Sequence, residues 1–467
     1  MATATDLALM SAKELTEAYA ARQLSPVEVT QASLDRIART EPRLNAFCVI
    51  DPDAAVADAK ASEERWAKRA PLGPVDGVPT TIKDLVLTRG WPTLRGSRTI
   101  SPDQPWAEDG PAVARLREGG AVLLGKTTTP EFAFKPVTSS PLTGITRNPW
   151  NPSLTPGGSS GGAGASVAVG AGTLALGTDA GGSIRIPSSF CGVFGLKPSV
   201  GRVPMYPATP LASLVGFGPM TRTVEDAARM LGVLARPDPR DHTALSAETI
   251  AYHKALDADP ARWRIAYSPT LGFARVDPEI ALIAADAVRA FSEMGAQVEE
   301  LPFVMDDQAS LMTRLRRGFA AHAFRHISDD QFAIMDPAVV EEIRQSRSAD
   351  LNTHLDAEME RAGLLRRMIA FHGTYDFLLT PTLTVPPFSA DLDRPEGETR
   401  YSWTGLCIPF NLTGQPAASV PCGTTSAGLP VGLQIVGPPR ADLAVLQAAR
   451  AFEAARPWAQ CPPDSAA

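Results

Sequence analysis

The sequence predicts an α/β protein with helices on both faces of one sheet. Apolar strand patterns alternate with amphipathic helical ones along most of the chain, the ordering that layered α/β folds require. Length alone allows two or three domains, but the 467 residues contain no sharp linker, low-complexity run or internal repeat, so 1–467 reads as a single domain. Residues 155–187 hold ten glycines in thirty-three positions, a density at which backbone approaches backbone or a ligand.

Two capping boxes, Ser11 with Glu14 and Ser25-Pro26 with Glu28, open helices at 12–22 and 26–40. A strand at 44–50, a helix at 53–68 and a strand at 78–87 follow, the last containing Thr80-Thr81-Ile82-Lys83-Asp84. Helix 110–118 leads to strand 121–124. Inside the glycine-rich stretch, 161–170 reads as a small-residue helix and 173–177 as a strand. Such a helix travels about 15 Å and such a strand about 17–20 Å. Out and back nearly cancel, so Ser159-Ser160 and Ser183 can meet in space.

The following segment, rich in Pro and Gly, reads as a loop up to a helix at 224–235, capped by Thr223 with Asp226 at its third position. Strand 264–267, helix 278–294 and strand 297–301 continue the alternation. Residues 308–373 differ: they are helical by pattern, rich in Arg, His, Met and Phe, and without strand signal, as expected of a cover lying over the sheet. Strands return at 377–379, 418–421 and 431–436, and a helix at 441–455 closes the fold.

A net charge of −7 with 20% charged residues describes an ordinary surface without a basic patch, so nucleic acid is not an expected partner. The N-terminus lacks a basic region followed by an apolar core, and no apolar run approaches the roughly 20 residues that span a bilayer. Neither secretion nor membrane insertion is expected, and the reading is cytoplasmic. Five dispersed cysteines, Cys48, Cys191, Cys407, Cys422 and Cys461, lack CxxC spacing and read as reduced thiols, with no metal site.

Two motifs match a pattern but not its context. The segment from Gly120 to Thr127 satisfies GxxxxGK[ST], yet its middle residues Ala-Val-Leu-Leu belong in a buried strand rather than a phosphate loop. The Gly157-Gly-Ser-Ser-Gly-Gly162 cluster satisfies GxSxG, but Pro149, Pro152 and Pro156 exclude the central strand that a nucleophile elbow needs before it. All six histidines lie after residue 241, mostly on helices that read as exposed. Lys83 is the better base. A lysine in a strand is ordinarily a solvated edge residue, but this one stands in an otherwise uncharged run apart from Asp84, and desolvation supplies a neutral amine.

A Lys-Asp pair followed by GGSSGG and then GTDAGGSIRIP resembles the amidase signature family. The flanking segments 125–131, 192–198, 221–226, 410–416 and 430–434 are similar as well; the likeness covers about 20–235 and 375–455, with core motifs at 75–235 and 375–455, and is weak over 236–374. The resemblance implies a large mixed twisted sheet covered on both faces by helices. It also implies a Ser-cisSer-Lys triad in which Ser183 is the nucleophile, Ser159 the bridging serine after a cis peptide, and Lys83 the base. The backbone amides of Ala180, Gly181, Gly182 and Ser183 match the family's oxyanion hole. The implied activity is hydrolysis of amide bonds through a covalent acyl-enzyme, without cofactor, in a monomer or homodimer. Anilides, carbamates and esters are related substrates, and aryl acylamidase or urethanase activity fits the family.

The alternative is the family's tRNA-dependent amidotransferase component, which shares the triad and works inside a heteromeric complex. Residues 204–210 and 308–373 depart from its pattern. Asp179 and Arg185 read as a buried pair that fixes the oxyanion loop, and Ser160 as a hydrogen-bonding residue within it. Phe134, Tyr206, Trp403, Leu406 and Ile408 are expected at the mouth, where they would favour an apolar or aryl substrate.

Overall fold

The computed structural model describes residues 6–209, 211, 213–246, 250–458 and 461–463. Its strands are β1 (Phe47–Ile50), β2 (Pro79–Lys83), β3 (Val122–Thr127), β4 (Ser139–Ser140), β5 (Gly144–Ile145), β6 (Leu174–Asp179) and β7 (Phe194–Lys197). They continue as β8 (Gly216–Thr221), β9 (Arg264–Tyr267), β10 (Gln297–Glu300), β11 (Phe377–Pro381), β12 (Ala417–Thr424) and β13 (Pro430–Val436). Eleven of them form one sheet in the order β1-β3-β2-β6-β8-β7-β12-β13-β11-β9-β10, and β4 pairs only with β5. The sheet is mixed: β3, β2 and β6 run parallel, as do β11, β9 and β10, and the pairings between these two groups are antiparallel.

Side-chain alternation places helices on both faces. Along β6, Leu174 and Leu176 share a core with Ala227 and Leu231 of the helix Val224–Leu234. Ala175 between them points the other way, into a core with Ala163 and Val167 of the helix Gly161–Ala168. Along β11, Phe377 and Leu379 join Phe291 and Val445 on one side, while Leu378 joins Met312, Leu315, Leu364 and Met368 on the other. Those four belong to the helices Ala309–Ala323 and Leu351–Phe371, so the block 308–373 does cover a sheet face.

Both capping boxes form, starting helices at Ala12 and Pro26. The second helix runs to Leu44, past its expected end and through Pro42, and stops at the left-handed Asn45; β1 is correspondingly shorter than 44–50. β3 extends to Thr127 and is buried throughout, so the GxxxxGK pattern is a core strand, with the buried Lys126 Nζ 3.0 Å from Asp84.

β2 ends at Lys83 rather than 87. The Leu85 and Val86 amides both donate to the Lys83 carbonyl, folding the chain into a turn where the apolar pattern had suggested more strand.

The segment expected to be a loop holds β7 and β8, and the helix Arg185–Cys191 runs into it from the glycine-rich stretch. Its glycines mark close packing rather than freedom. A methyl group at Gly218 in β8 would stand 2.0 Å from the Leu196 carbonyl oxygen. Gly218→Ala should therefore destabilise the protein by about 1–3 kcal/mol, read as a fall in the denaturant midpoint. A midpoint equal to that of the unsubstituted protein would show that β7 and β8 separate without cost.

Candidate active site

β2 and β6 are parallel neighbours with Ile82 opposite Leu176, so Lys83 and Thr178 lie at the same end of the sheet. The helix Gly161–Ala168 returns the chain to the start of β6, which brings Ser159 and Ser160 to that end too. The Gly158–Ser159 peptide is cis. Glycine is required before it, because a Cβ at Gly158 would lie 2.6 Å from the Val137 backbone.

Lys83 is fully buried, and its amine meets three hydroxyls: Ser159 Oγ at 2.7 Å, Ser160 Oγ at 2.9 Å and Thr178 Oγ1 at 2.9 Å. Burial pushes the amine well below its ordinary value of 10.5, with the negative charge of Asp179 acting in the opposite sense. A neutral amine has two protons and one lone pair. Ser160 Oγ gives its proton to the Thr178 carbonyl at 3.1 Å, so it can only accept from Lys83. If the second proton goes to Thr178 Oγ1, the lone pair is left for the Ser159 hydroxyl. The neutral amine is then placed to take a proton from Ser159.

Ser183 sits in the turn after β6 and is partly accessible, whereas Ser159 is buried; both line one cavity. The two segments are tied by the Ser160 amide donating to the Ser183 carbonyl at 3.2 Å. Among the described residues no hydrogen bond joins the hydroxyls of Ser159 and Ser183, so a proton passing between them needs a further approach when substrate is seated.

The amides of Ala180, Gly181 and Ser183 have no acceptor among the described residues, and all three residues line the cavity. Gly182 differs from the expectation. Its amide donates to Asp179 Oδ1 at 2.7 Å and it does not line the cavity, so it serves the loop rather than a ligand.

Asp179 and Arg185 form a fully buried bidentate pair, with Nε to Oδ2 at 2.9 Å and Nη2 to Oδ1 at 3.0 Å. The remaining Arg185 protons go to the Cys407 carbonyl, Gln434 Oε1 and Asn411 Oδ1, so all five are used. Burial would raise the Asp179 carboxyl, but the charge and hydrogen bonds of Arg185 outweigh it and hold the group below the usual range.

The cavity measures about 590 Å³. Phe134 and Tyr206 line it, joined by Phe217, Met312 and Phe324. Trp403, Leu406 and Ile408 do not. Trp403 is buried and stacked on Phe190 at 6.0 Å, and Leu406 and Ile408 lie in the core beneath the helical block. From that segment Arg400, Tyr401 and Thr404 reach the cavity instead. Over 204–214, the described residues 205–209 and Leu211 line the cavity, and positions 210 and 212 lie outside the described residues. His322 is at the cavity rim and His372 is wedged between the Tyr375 carbonyl and Gln415; neither touches the serines. Among the described residues no helix is long and apolar enough to cross a membrane.

The family model described as Amidase matches residues 28–446, and so runs through 236–374, where the motif-level likeness is weak. An acylamidase of Rhodococcus erythropolis is 37% identical over 477 residues, spanning 99% of this chain and 98% of that one. A glutamyl-tRNA(Gln) amidotransferase subunit from Chloroflexus aggregans is 34% identical over 487 residues, spanning 99% of both. The crystal structure of a bacterial aryl acylamidase of the amidase signature enzymes superposes with a TM-score of 0.90 at 32% identity, covering 98% of each chain.

Proposed function

The chain belongs to the amidase signature family and is a hydrolase of carbon–nitrogen bonds, and from that premise we propose that it cleaves small apolar or aryl amides by a Ser183-Ser159-Lys83 relay. Ser183 Oγ attacks the amide carbonyl while its proton passes to Ser159 and that of Ser159 to Lys83. The carbonyl oxygen takes up the negative charge and is received by the free amides of Ala180, Gly181 and Ser183. Such a donor contributes roughly 3–4 kcal/mol in the transition state. The relay run in reverse delivers the proton to the departing amine, leaving an acyl group on Ser183. Water then repeats the sequence and releases the acid. Carbamates and esters present the same carbonyl to the same groups.

The observation that carries this reading is the buried Lys83 amine, 2.7 Å from Ser159, its hold on a proton weakened by burial. The aromatic walls of the cavity, Phe134 and Tyr206 among them, support the apolar or aryl preference, as does the likeness to an aryl acylamidase. A fluorophosphonate should label Ser183, located by peptide mass spectrometry, and a panel of nitroanilides, anilides, carbamates and short aliphatic amides should show aryl amides turning over fastest. A label on Ser159 or Ser160 would overturn the assignment of the nucleophile.

The relay also fixes the sign of the pH dependence. Lys83 acts as base only when neutral, so kcat/KM should rise with pH as the amine sheds its proton and level off while still well below 10.5, the ordinary value for a lysine. In Lys83→Met the limb should vanish together with turnover; a limb of unchanged position in that variant would rule the lysine out.

The resemblance to the glutamyl-tRNA(Gln) amidotransferase chain favours a second reading, in which the protein releases ammonia from glutamine within a complex. Co-purification of partner chains with glutamine-specific turnover would select it.

A further inference from the structure

None of the cations in the cavity wall has a use in the chemistry above, and one of them has no counter-charge either. The cavity wall includes Arg95, Lys135, Arg316, Arg325 and Arg400 but, among the described residues, no Asp or Glu. Most of these cations already have partners. Lys135 pairs with Asp336 at 2.6 Å and Asp393 at 2.8 Å. Arg316 and Arg400 share Glu342 at 3.7 and 3.8 Å and both donate to the Phe134 carbonyl. Arg325 is exposed at the rim and donates to the His322 carbonyl.

Arg95 is different. Among the described residues its guanidinium has no hydrogen-bond acceptor and no carboxylate within ion-pair distance. The carboxylate whose field it feels, Asp84, is already held by Lys126 at 3.0 Å and by the Gly96 amide at 3.2 Å. The Arg95 backbone is fixed as well: its carbonyl accepts the Phe132 amide at 2.8 Å, and its φ of 55° lies in the left-handed region that glycine occupies more cheaply. A side chain other than glycine at such a position is strained, and strain of this kind gathers at ligand sites. Here it places a residue with a planar, five-donor cation in the wall of the same cavity that holds Ser183, a wall to which Leu85, Thr99 and Ile100 also belong.

We propose that Arg95 is a specificity residue that receives a carboxylate on an otherwise apolar substrate, so that the preferred amides carry one negative charge distal to the scissile bond. The proposal rests on the amidase reading and narrows it. The guanidinium fork matches a carboxylate in a bidentate geometry, and the low-dielectric wall strengthens that contact relative to water. An apolar substrate bearing a cation meets the unpaired Arg95 and, among the described residues, no carboxylate in the wall, and is disfavoured.

The test is calorimetric binding of phenylbutyrate and of its alcohol, phenylbutanol, to the full-length enzyme. The two probes share one apolar body and differ in the charge. The carboxylate should bind about 10- to 100-fold more tightly than the alcohol, the worth of hydrogen bonds to a charged group. Arg95→Met should erase that preference, and Arg95→Lys should keep part of it. Arg95→Gln gives the same reading as the methionine variant should the latter fail to fold. Equal binding of the two probes by the wild type overturns the proposal. So does a preference undiminished in the Met or Gln variant, since the carboxylate would then be held at the Ser183 amides as an acid product is. In parallel, a nitroanilide with a distal carboxylate and its uncharged counterpart are compared for turnover. Loss of turnover on both, with the Arg95-dependent binding preference intact, would overturn the amidase reading and leave the carboxylate site standing.

Discussion

Replacing Ser183 by alanine should remove turnover on every substrate, lowering kcat by roughly 10⁴- to 10⁶-fold, as expected when the nucleophile of a covalent relay is lost. The size follows from what would remain. Lys83 would still meet Ser159, Ser160 and Thr178, and the cavity would still bind the amide, but no oxygen would lie where the carbonyl can be attacked. Ser159→Ala should be milder in one respect: the nucleophile is present but has lost its route to the base, so slow, partial labelling by a fluorophosphonate should persist. The two variants together separate attack from proton transfer. Steady-state assay of both, with mass spectrometry of the labelled protein, is the check. Equal labelling of wild type and Ser183→Ala would place the nucleophile elsewhere.

Replacing Asp179 by alanine should cost about 3–5 kcal/mol of stability, because it leaves a buried guanidinium without its countercharge. Arg185 would lose its carboxylate and keep only the Cys407 carbonyl, Gln434 and Asn411, none of them charged. The Gly182 and Ile184 amides would lose their acceptor at the same time. Denaturant unfolding measures the loss, and a change below about 1 kcal/mol would mean that the pair is replaceable by solvent. The carboxyl also ties stability to pH. Its folded value lies below the ordinary 3.8, so the stability it contributes is complete above that value and is lost as pH falls through the folded one.

The end of the sheet proposed to be catalytic is legible in the sequence because its residues lie in short contiguous motifs. Lys83 ends a strand, and Ser159 and Ser183 flank a helix and strand whose lengths return the chain to its start. The neighbouring strands β7 and β8 are hidden for a physical reason: Gly195 and Gly218 stand where side chains would collide with Ser188 and Leu196, so close packing takes on the composition of a loop. The cavity wall is hidden for another. From 401 to 408 the chain coils, turning Trp403, Leu406 and Ile408 inward and Tyr401 and Thr404 toward the cavity, and no aromatic count predicts which side a coil presents. Arg95, Arg316 and Arg400 come from three distant segments, so the wall they share exists only after folding.

The fastening of Arg185 bears on how the protein is made. Lys83, Ser159 and Ser183 leave the ribosome before three of the groups that hold Arg185, at Cys407, Asn411 and Gln434, which follow it by 222, 226 and 249 residues. Until those later segments have docked, Arg185 has Asp179 but lacks the fastening that Cys407, Asn411 and Gln434 supply. On the proposed mechanism, a growing chain therefore shows a serine but not yet a hydrolase. The site is complete only once Gln434 of β13 has reached Arg185, long after Lys83, Ser159 and Ser183 have been made.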